Sequence, residues 1–196
     1  MDIKIVDKIT DSLVKSGTIH AEDKDIYEYG LRHIASMFLN ISTTLIIGFI
    51  FGMIWQSILF MVAYIPLRSY AGGYHARTPL KCYIFSVILT VCVLLSIKYM
   101  PYNDILFLVI TFISGAIIFI FAPMGDENKP LDEIETKVFR KRTRIILFVE
   151  IGLICLLMIL NLNFIAVCLN IAVFYASIMI FISILIKKLY SPFRIN

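Results

Sequence analysis

Charge is scarce in this sequence. Asp, Glu, Lys and Arg make up 16% of the 196 residues, against roughly one quarter in a typical soluble domain. With 60% hydrophobic residues, the composition excludes an ordinary water-soluble globule and points to one compact helical membrane domain. Metal-binding patterns are missing too. Cys82, Cys92, Cys155 and Cys168 form neither a Cys-x-x-Cys pair nor a Cys/His ligand set, so neither a structural zinc site nor a disulfide framework is supported. The histidines are His20, His33 and His75, and none sits in the His-Glu-x-x-His spacing of a metalloprotease. No Gly-rich Lys-Ser/Thr phosphate loop and no inverted repeat is present. The first thirty residues are mixed charged without an apolar core, so no secretory signal peptide is expected there. No metal, no cofactor and no nucleic-acid partner is expected.

What the chain does have is long apolar runs. Residues 34–67 are predominantly apolar and carry no charge, a run too long for one crossing of about 20 residues and tight for two. Gly52 and Gln56-Ser57 offer a turn between them. Four clearer runs follow, punctuated by Pro101 and Asn103, by the charged segment 123–144, and by Asn161 and Asn163. The expected fold is an all-α integral membrane protein of about six transmembrane helices, at about 34–52, 54–70, 83–100, 104–122, 145–160 and 164–186. Before them, residues 1–33 form an amphipathic segment. Ile5, Ile9 and Leu13, with Val6 and Val14 beside them, repeat at helical spacing, Gly17 ends that helix, and a second begins near Ala21. Such a segment either anchors the first span at the lipid surface or docks the amphipathic leader of a peptide.

The basic residues test that count. With six crossings, the N-terminal segment, the 68–81 loop, the 123–144 loop and the C-terminus share one side. They hold 5, 3, 6 and 3 of the 18 Lys and Arg residues, leaving only Lys98 opposite. The positive-inside rule then puts both termini and residues 68–82 in the cytoplasm, where a free thiol stays reduced.

The stretch from Arg68 to Cys82 is the one place equipped for covalent chemistry. Thr78-Pro79 reads as a helix start, with Thr at the N-cap and Pro at the first helical position. Cys82 then falls in the first turn, where free backbone N–H groups and the helix dipole favour a thiolate and can form an oxyanion hole. Arg77 and Lys81 add positive charge. On one continuous helix, His75 would lie roughly 10 Å from Cys82 along the axis; a break at Thr78-Pro79 lets the imidazole fold back to the thiol. Gly72-Gly73 allows that fold, or the close approach of a peptide. A thiolate with an imidazole is a nucleophile with its base.

Arg68, Tyr70-Ala71-Gly72-Gly73-Tyr74-His75-Ala76, Thr78 and Cys82 resemble the signature of the accessory gene regulator protein B (AgrB) family, bacterial membrane cysteine peptidases of quorum sensing. Order, spacing and the glycine pair all match, and the overall plan fits along the whole chain. The resemblance implies that Cys82 is the nucleophile and His75 its base. It also implies a homodimer in the cell membrane and an amphipathic, AgrD-like propeptide whose C-terminal tail is removed. The acyl-thioester would then close to a thiolactone, or to a lactone if the substrate offers a serine.

The remaining candidates are substrate-binding. Arg68, Gly72, Gly73, Arg77 and Lys81 surround the His/Cys pair. Arg140, Lys141 and Arg144 form a basic cluster suited to an acidic peptide tail, or to anionic lipid. Glu150 is the one carboxylate well inside an expected span; it would pair with a basic side chain such as Arg144 or hold a polar substrate group. The rival reading is a non-enzymatic peptide exporter or transport subunit, which would use Glu150 and the basic loop and have no need of His75 with Cys82.

Overall fold

The computed structural model describes residues 3–73, 78–101, 103–125 and 131–190. Among the described residues it is all-helical, with seven α-helices and no strand: α1 (Ile3–Lys15), α2 (Lys24–Ile50), α3 (Ile54–Ala71), α4 (Pro79–Tyr99), α5 (Asp104–Phe121), α6 (Glu133–Ile159) and α7 (Asn163–Tyr190). Four stretches are long and apolar enough to cross a membrane by length and composition: Ala21–Ile50, Pro79–Tyr99, Asp104–Phe121 and Asn163–Leu189. They mark a membrane protein. α3 carries Gln56 and Arg68, and the apolar part of α6 is flanked and interrupted by Arg142, Arg144 and Glu150; both fall outside that set of four.

Helix starts follow local chemistry. Asn103 caps α5, its side chain accepting from the Leu106 N–H at 3.0 Å. α6 opens on a capping box: the Asp132 carboxylate accepts from the Glu135 N–H at 2.6 Å, and the Glu135 carboxylate accepts from the Asp132 N–H. Because of that cap, the charged residues from Glu133 to Arg144 and the apolar run after them form one helix. The same happens at the front of the chain. The stretch expected to be a separate surface helix from Ala21 runs on without a break through His33-Ile34 into the first apolar run, because neither a Pro nor a cap interrupts it.

α7 is the axis of the bundle and packs against α3, α4, α5 and α6. Ala166, Cys168, Ala172, Val173, Ala176 and Ile180 are buried along it; small residues let helix backbones approach where lipid supplies no hydrophobic drive. Asn170 fastens it to α5 by donating from its side-chain amide to the Phe107 carbonyl at 2.9 Å and to the Thr111 hydroxyl. Ser96 and Tyr175 hydroxyls join α4 to α7 at 2.9 Å, and Thr43–Tyr83 and Thr44–Thr90 join α2 to α4 at 3.0 and 3.2 Å. Outward faces are apolar: Phe38, Phe49, Ile105, Phe148 and Ile159 are exposed, as lipid contact requires. α1 lies on α2, with Val6 and Thr10 buried and ion pairs from Lys24 to Asp11 (2.6 Å) and from Arg32 to Asp7 (3.3 Å).

The bundle has two distinct ends. At one, Met53, Gln56, Ile97, Lys98, Met100 and Phe164 line an open groove of about 540 Å³. At the other, the end of α3 meets the 122–125 connection and the last turns of α7. There the Met124 N–H donates to the Ala71 carbonyl at 2.9 Å, and the Lys187 ammonium donates to the Gly125 carbonyl at 2.7 Å. Cys82 belongs to this second end.

Candidate functional site

Cys82 stands where its neighbours put it. Thr78 has extended φ and ψ (−123°, 144°), Pro79 takes the first helical position, and the Thr78 hydroxyl accepts from the Lys81 N–H at 3.4 Å. The Cys82 thiol is half-buried and free, and its own N–H donates to the Thr78 carbonyl at 3.0 Å. His75 and Arg77 lie outside the described residues, as does the rest of 74–77.

Pro79 has no N–H, and those of Lys81 and Cys82 are engaged by Thr78. The Thr78 hydroxyl caps the Lys81 N–H, and its carbonyl accepts the first intrahelical bond, as at any helix start.

Gly72 and Gly73 are fixed by close backbone approach. Gly72 has φ 70°, ψ −148° and bridges Met124, and a Cβ there would overlap the Met124 carbonyl oxygen. Gly73 has φ 119°, and its Cβ would come within 3.0 Å of Arg68 Nη1 and 3.2 Å of the Met179 backbone. Only glycine occupies such φ/ψ values without strain. The loop that leads to His75 is thus wedged between α3, α7 and the 122–125 connection. Arg68 lies beneath it, its Nη1 facing Gly73, with Tyr64 one turn back on α3.

The basic cluster divides. Arg140 and Lys141 are exposed at the start of α6. Arg142, beside them, reaches the Tyr70 ring at the end of α3, 5.2 Å from its centroid. Arg144 turns the other way and lies 4.1 Å from the centroid of Phe119 on α5. It makes no ion pair with Glu150, for which a basic partner was one of the options open from sequence. Six residues apart, the two project from different faces of α6, and Arg144 follows the aromatic. Glu150 is buried with Thr143, Leu147, Ile154 and Leu157 on the inner face, and its Oε2 has no hydrogen-bond partner among the described residues. Lys81 is exposed. The structure therefore gathers Arg68, Gly72, Gly73, Lys81 and Cys82 at one end, sets Arg140 and Lys141 on the helix that Arg142 ties to that end, and leaves Glu150 deeper in the bundle.

The sequence pattern of the family described as Accessory gene regulator B matches residues 6–186. A "Putative AgrB-like protein" of Clostridium perfringens (strain SM101 / Type A) is 30% identical over 146 residues, covering 66% of this chain and 66% of that protein. A "Putative AgrB-like protein 2" of Clostridium perfringens (strain 13 / Type A) is 29% identical over the same length and shares. A "Putative AgrB-like protein" of Clostridium acetobutylicum is 32% identical over 98 residues, 48% of this chain and 47% of its own. The matched stretch thus spans just under two thirds of the first two relatives. No solved structure matches the chain.

Proposed function

Since this chain belongs to the Accessory gene regulator B family, whose members serve the agr quorum-sensing system, we propose that it is a membrane-embedded cysteine endopeptidase acting on an AgrD-like propeptide. Cys82 is the nucleophile and His75 the base. The observation that carries this reading is the position of Cys82: a free, half-buried thiol in the capped first turn of α4, at the bundle end that also holds the glycine wedge and Arg68.

In the reaction, His75 takes the thiol proton and sulfur attacks the carbonyl at the C-terminal end of the signal core. His75 returns the proton to the leaving amine, the C–N bond breaks and the acidic tail departs. The acyl group remains on sulfur as a thioester. A thiol within the substrate then displaces Cys82 and closes a thiolactone; a hydroxyl would give a lactone, and water a linear peptide. Arg140 and Lys141 attract the tail, while the N-terminal segment lies at the lipid surface and meets the leader. Six crossings by α2–α7, with the Cys82 end in the cytoplasm, agree with the basic residues concentrated there. The functional unit is a homodimer in the cell membrane.

Co-expression of the propeptide with wild type, Cys82→Ala and His75→Ala, followed by mass spectrometry, tests the reading. Tail release by wild type alone, with a core lighter than its linear form by about 18 Da (one water), is the expected result. Cleavage by Cys82→Ala would sink it. The rival, a peptide exporter, has one observation in its favour: the buried carboxylate of Glu150, whose Oε2 has no hydrogen-bond partner among the described residues.

A further inference from the structure

We propose that Arg144 and Phe119 form a binding site for an anionic phospholipid on the membrane-facing seam between α5 and α6. The proposal does not depend on the peptidase reading. It starts from the way the basic cluster divides. Arg142 is engaged by Tyr70, its Nη1 lying 3.2 Å from the hydroxyl. Arg144 instead lies 4.1 Å from the centroid of Phe119, close to the end of α5 at Phe121. Phe119 in turn meets the Phe148 ring edge-on, with 6.0 Å between centroids. A guanidinium, a ring of α5 and a ring of α6 thus form one row across the seam.

The row has the two halves that a phospholipid requires. Arg144 is the last basic residue before the apolar run of α6. Beyond it Ile145, Phe148 and Val149 are exposed, as are Phe119 and Ile120 on α5. Together they make an apolar wall for an acyl chain. On the other side of Arg144, Lys137 is exposed two turns earlier on the same face and carries positive charge toward water. The guanidinium therefore stands where polar surface gives way to apolar surface, the depth of a lipid headgroup. Resting on a ring, it keeps its in-plane N–H groups for an anion, and those groups match a phosphate two at a time. The ring also holds the side chain in place beforehand, which reduces the ordering that binding must impose. Net negative charge on the headgroup is selected by the net positive charge of the site. An acidic peptide would match that charge but has no acyl chain for the exposed wall.

Native mass spectrometry of the full chain in detergent, titrated with phosphatidylglycerol or phosphatidylcholine, tests this. Wild type is expected to hold one phosphatidylglycerol in preference to phosphatidylcholine. Arg144→Gln should weaken phosphatidylglycerol binding about fivefold, the loss of one basic contact at a membrane surface. Phe119→Leu should weaken it about threefold, because the guanidinium loses its ring. Phe119→Leu removes no charge, and it keeps the proposal testable should Arg144→Gln fail to fold. Arg142→Gln should bind as wild type does, since that guanidinium is held by Tyr70. Unchanged affinity in Arg144→Gln or, where that variant does not fold, in Phe119→Leu would overturn the proposal. So would an equal loss in Arg142→Gln, which would mean diffuse attraction to the whole basic helix. Displacement of the lipid by an equal concentration of hexaglutamate peptide, or of inorganic phosphate, would overturn it too, by giving the site to an acidic peptide or a soluble anion.

Discussion

Arg142 Nη1 donates to the Tyr70 hydroxyl at 3.2 Å while its guanidinium lies 5.2 Å from the centroid of the same ring. The ring also meets Phe139 edge-on, at 5.7 Å. A single tyrosine, two residues before Gly72, is thereby clamped by one turn of α6. This contact ties the basic helix to the Cys82 end of the bundle, across 72 positions of sequence.

Breaking that clamp should cost little stability and a measurable amount of coupling. At this exposed site, Arg142→Gln or Tyr70→Leu should each lower unfolding free energy by about 0.5–1 kcal/mol. The double variant should cost scarcely more than either one. Thermal unfolding in detergent micelles checks it, and fully additive losses would show that the two side chains do not act together.

Gly72→Ala should be far more damaging than its size suggests. The residue sits at φ 70°, ψ −148° against the Met124 backbone, so strain of about 1–3 kcal/mol adds to a direct overlap with main chain that cannot rotate away. Both unfolding midpoint and propeptide processing should fall. Gly17→Ala has open space around it and serves as the control, since it shares the positive φ without the overlap.

Asn170→Ala should loosen α7 from α5. It removes the amide that bonds the Phe107 carbonyl and the Thr111 hydroxyl. Inter-helical bonds of this kind in membrane proteins are worth about 0.6 kcal/mol on average and up to about 1.7. A loss in that range, read from unfolding, with processing intact at low temperature, is the expected outcome.

Acid should release α1 from α2. Hydrogen bonding by Lys24, then its charge, holds the Asp11 carboxyl below its ordinary value of 3.8. A depressed carboxylate stabilises the docked state above its free value, and that contribution fades as pH falls through the lowered one. Protection factors of the α1 amides, corrected for the intrinsic pH dependence of exchange, should therefore be higher at pH 6 than below about pH 4, whereas Asp11→Asn should show the lower protection at both. Equal protection of the variant at pH 6 would show that the pair contributes nothing to docking.

Among the four cysteines, only Cys82 should matter for processing. Cys92, Cys155 and Cys168 replaced by Ala or Ser should keep tail release, while Cys82→Ser should lose it, since a hydroxyl in place of the thiol is a far weaker nucleophile at neutral pH. Mass spectrometry of the released tail decides it.

Local chemistry made much of this protein readable before any coordinates. Thr78-Pro79, Asn103 and the Asn161–Asn163 punctuation are signals written within a few residues, and α4, α5 and α7 begin within a few residues of where those signals predict. The membrane class follows from composition alone, because apolar surface in such excess has no other solvent. Boundaries between polar and apolar segments were harder. Hydropathy changes at residue 34 and at residue 145, but backbone hydrogen bonding does not, so α2 and α6 continue across both. What tertiary structure decided are the contacts no spacing encodes: Met124 and Met179 behind the glycine pair, Tyr70 under Arg142, Phe119 taking Arg144 away from Glu150. Each joins residues far apart in sequence, and each depends on which faces α3, α6 and α7 turn toward one another. That choice comes from packing small residues along α7, a property of the assembled bundle that no single helix carries.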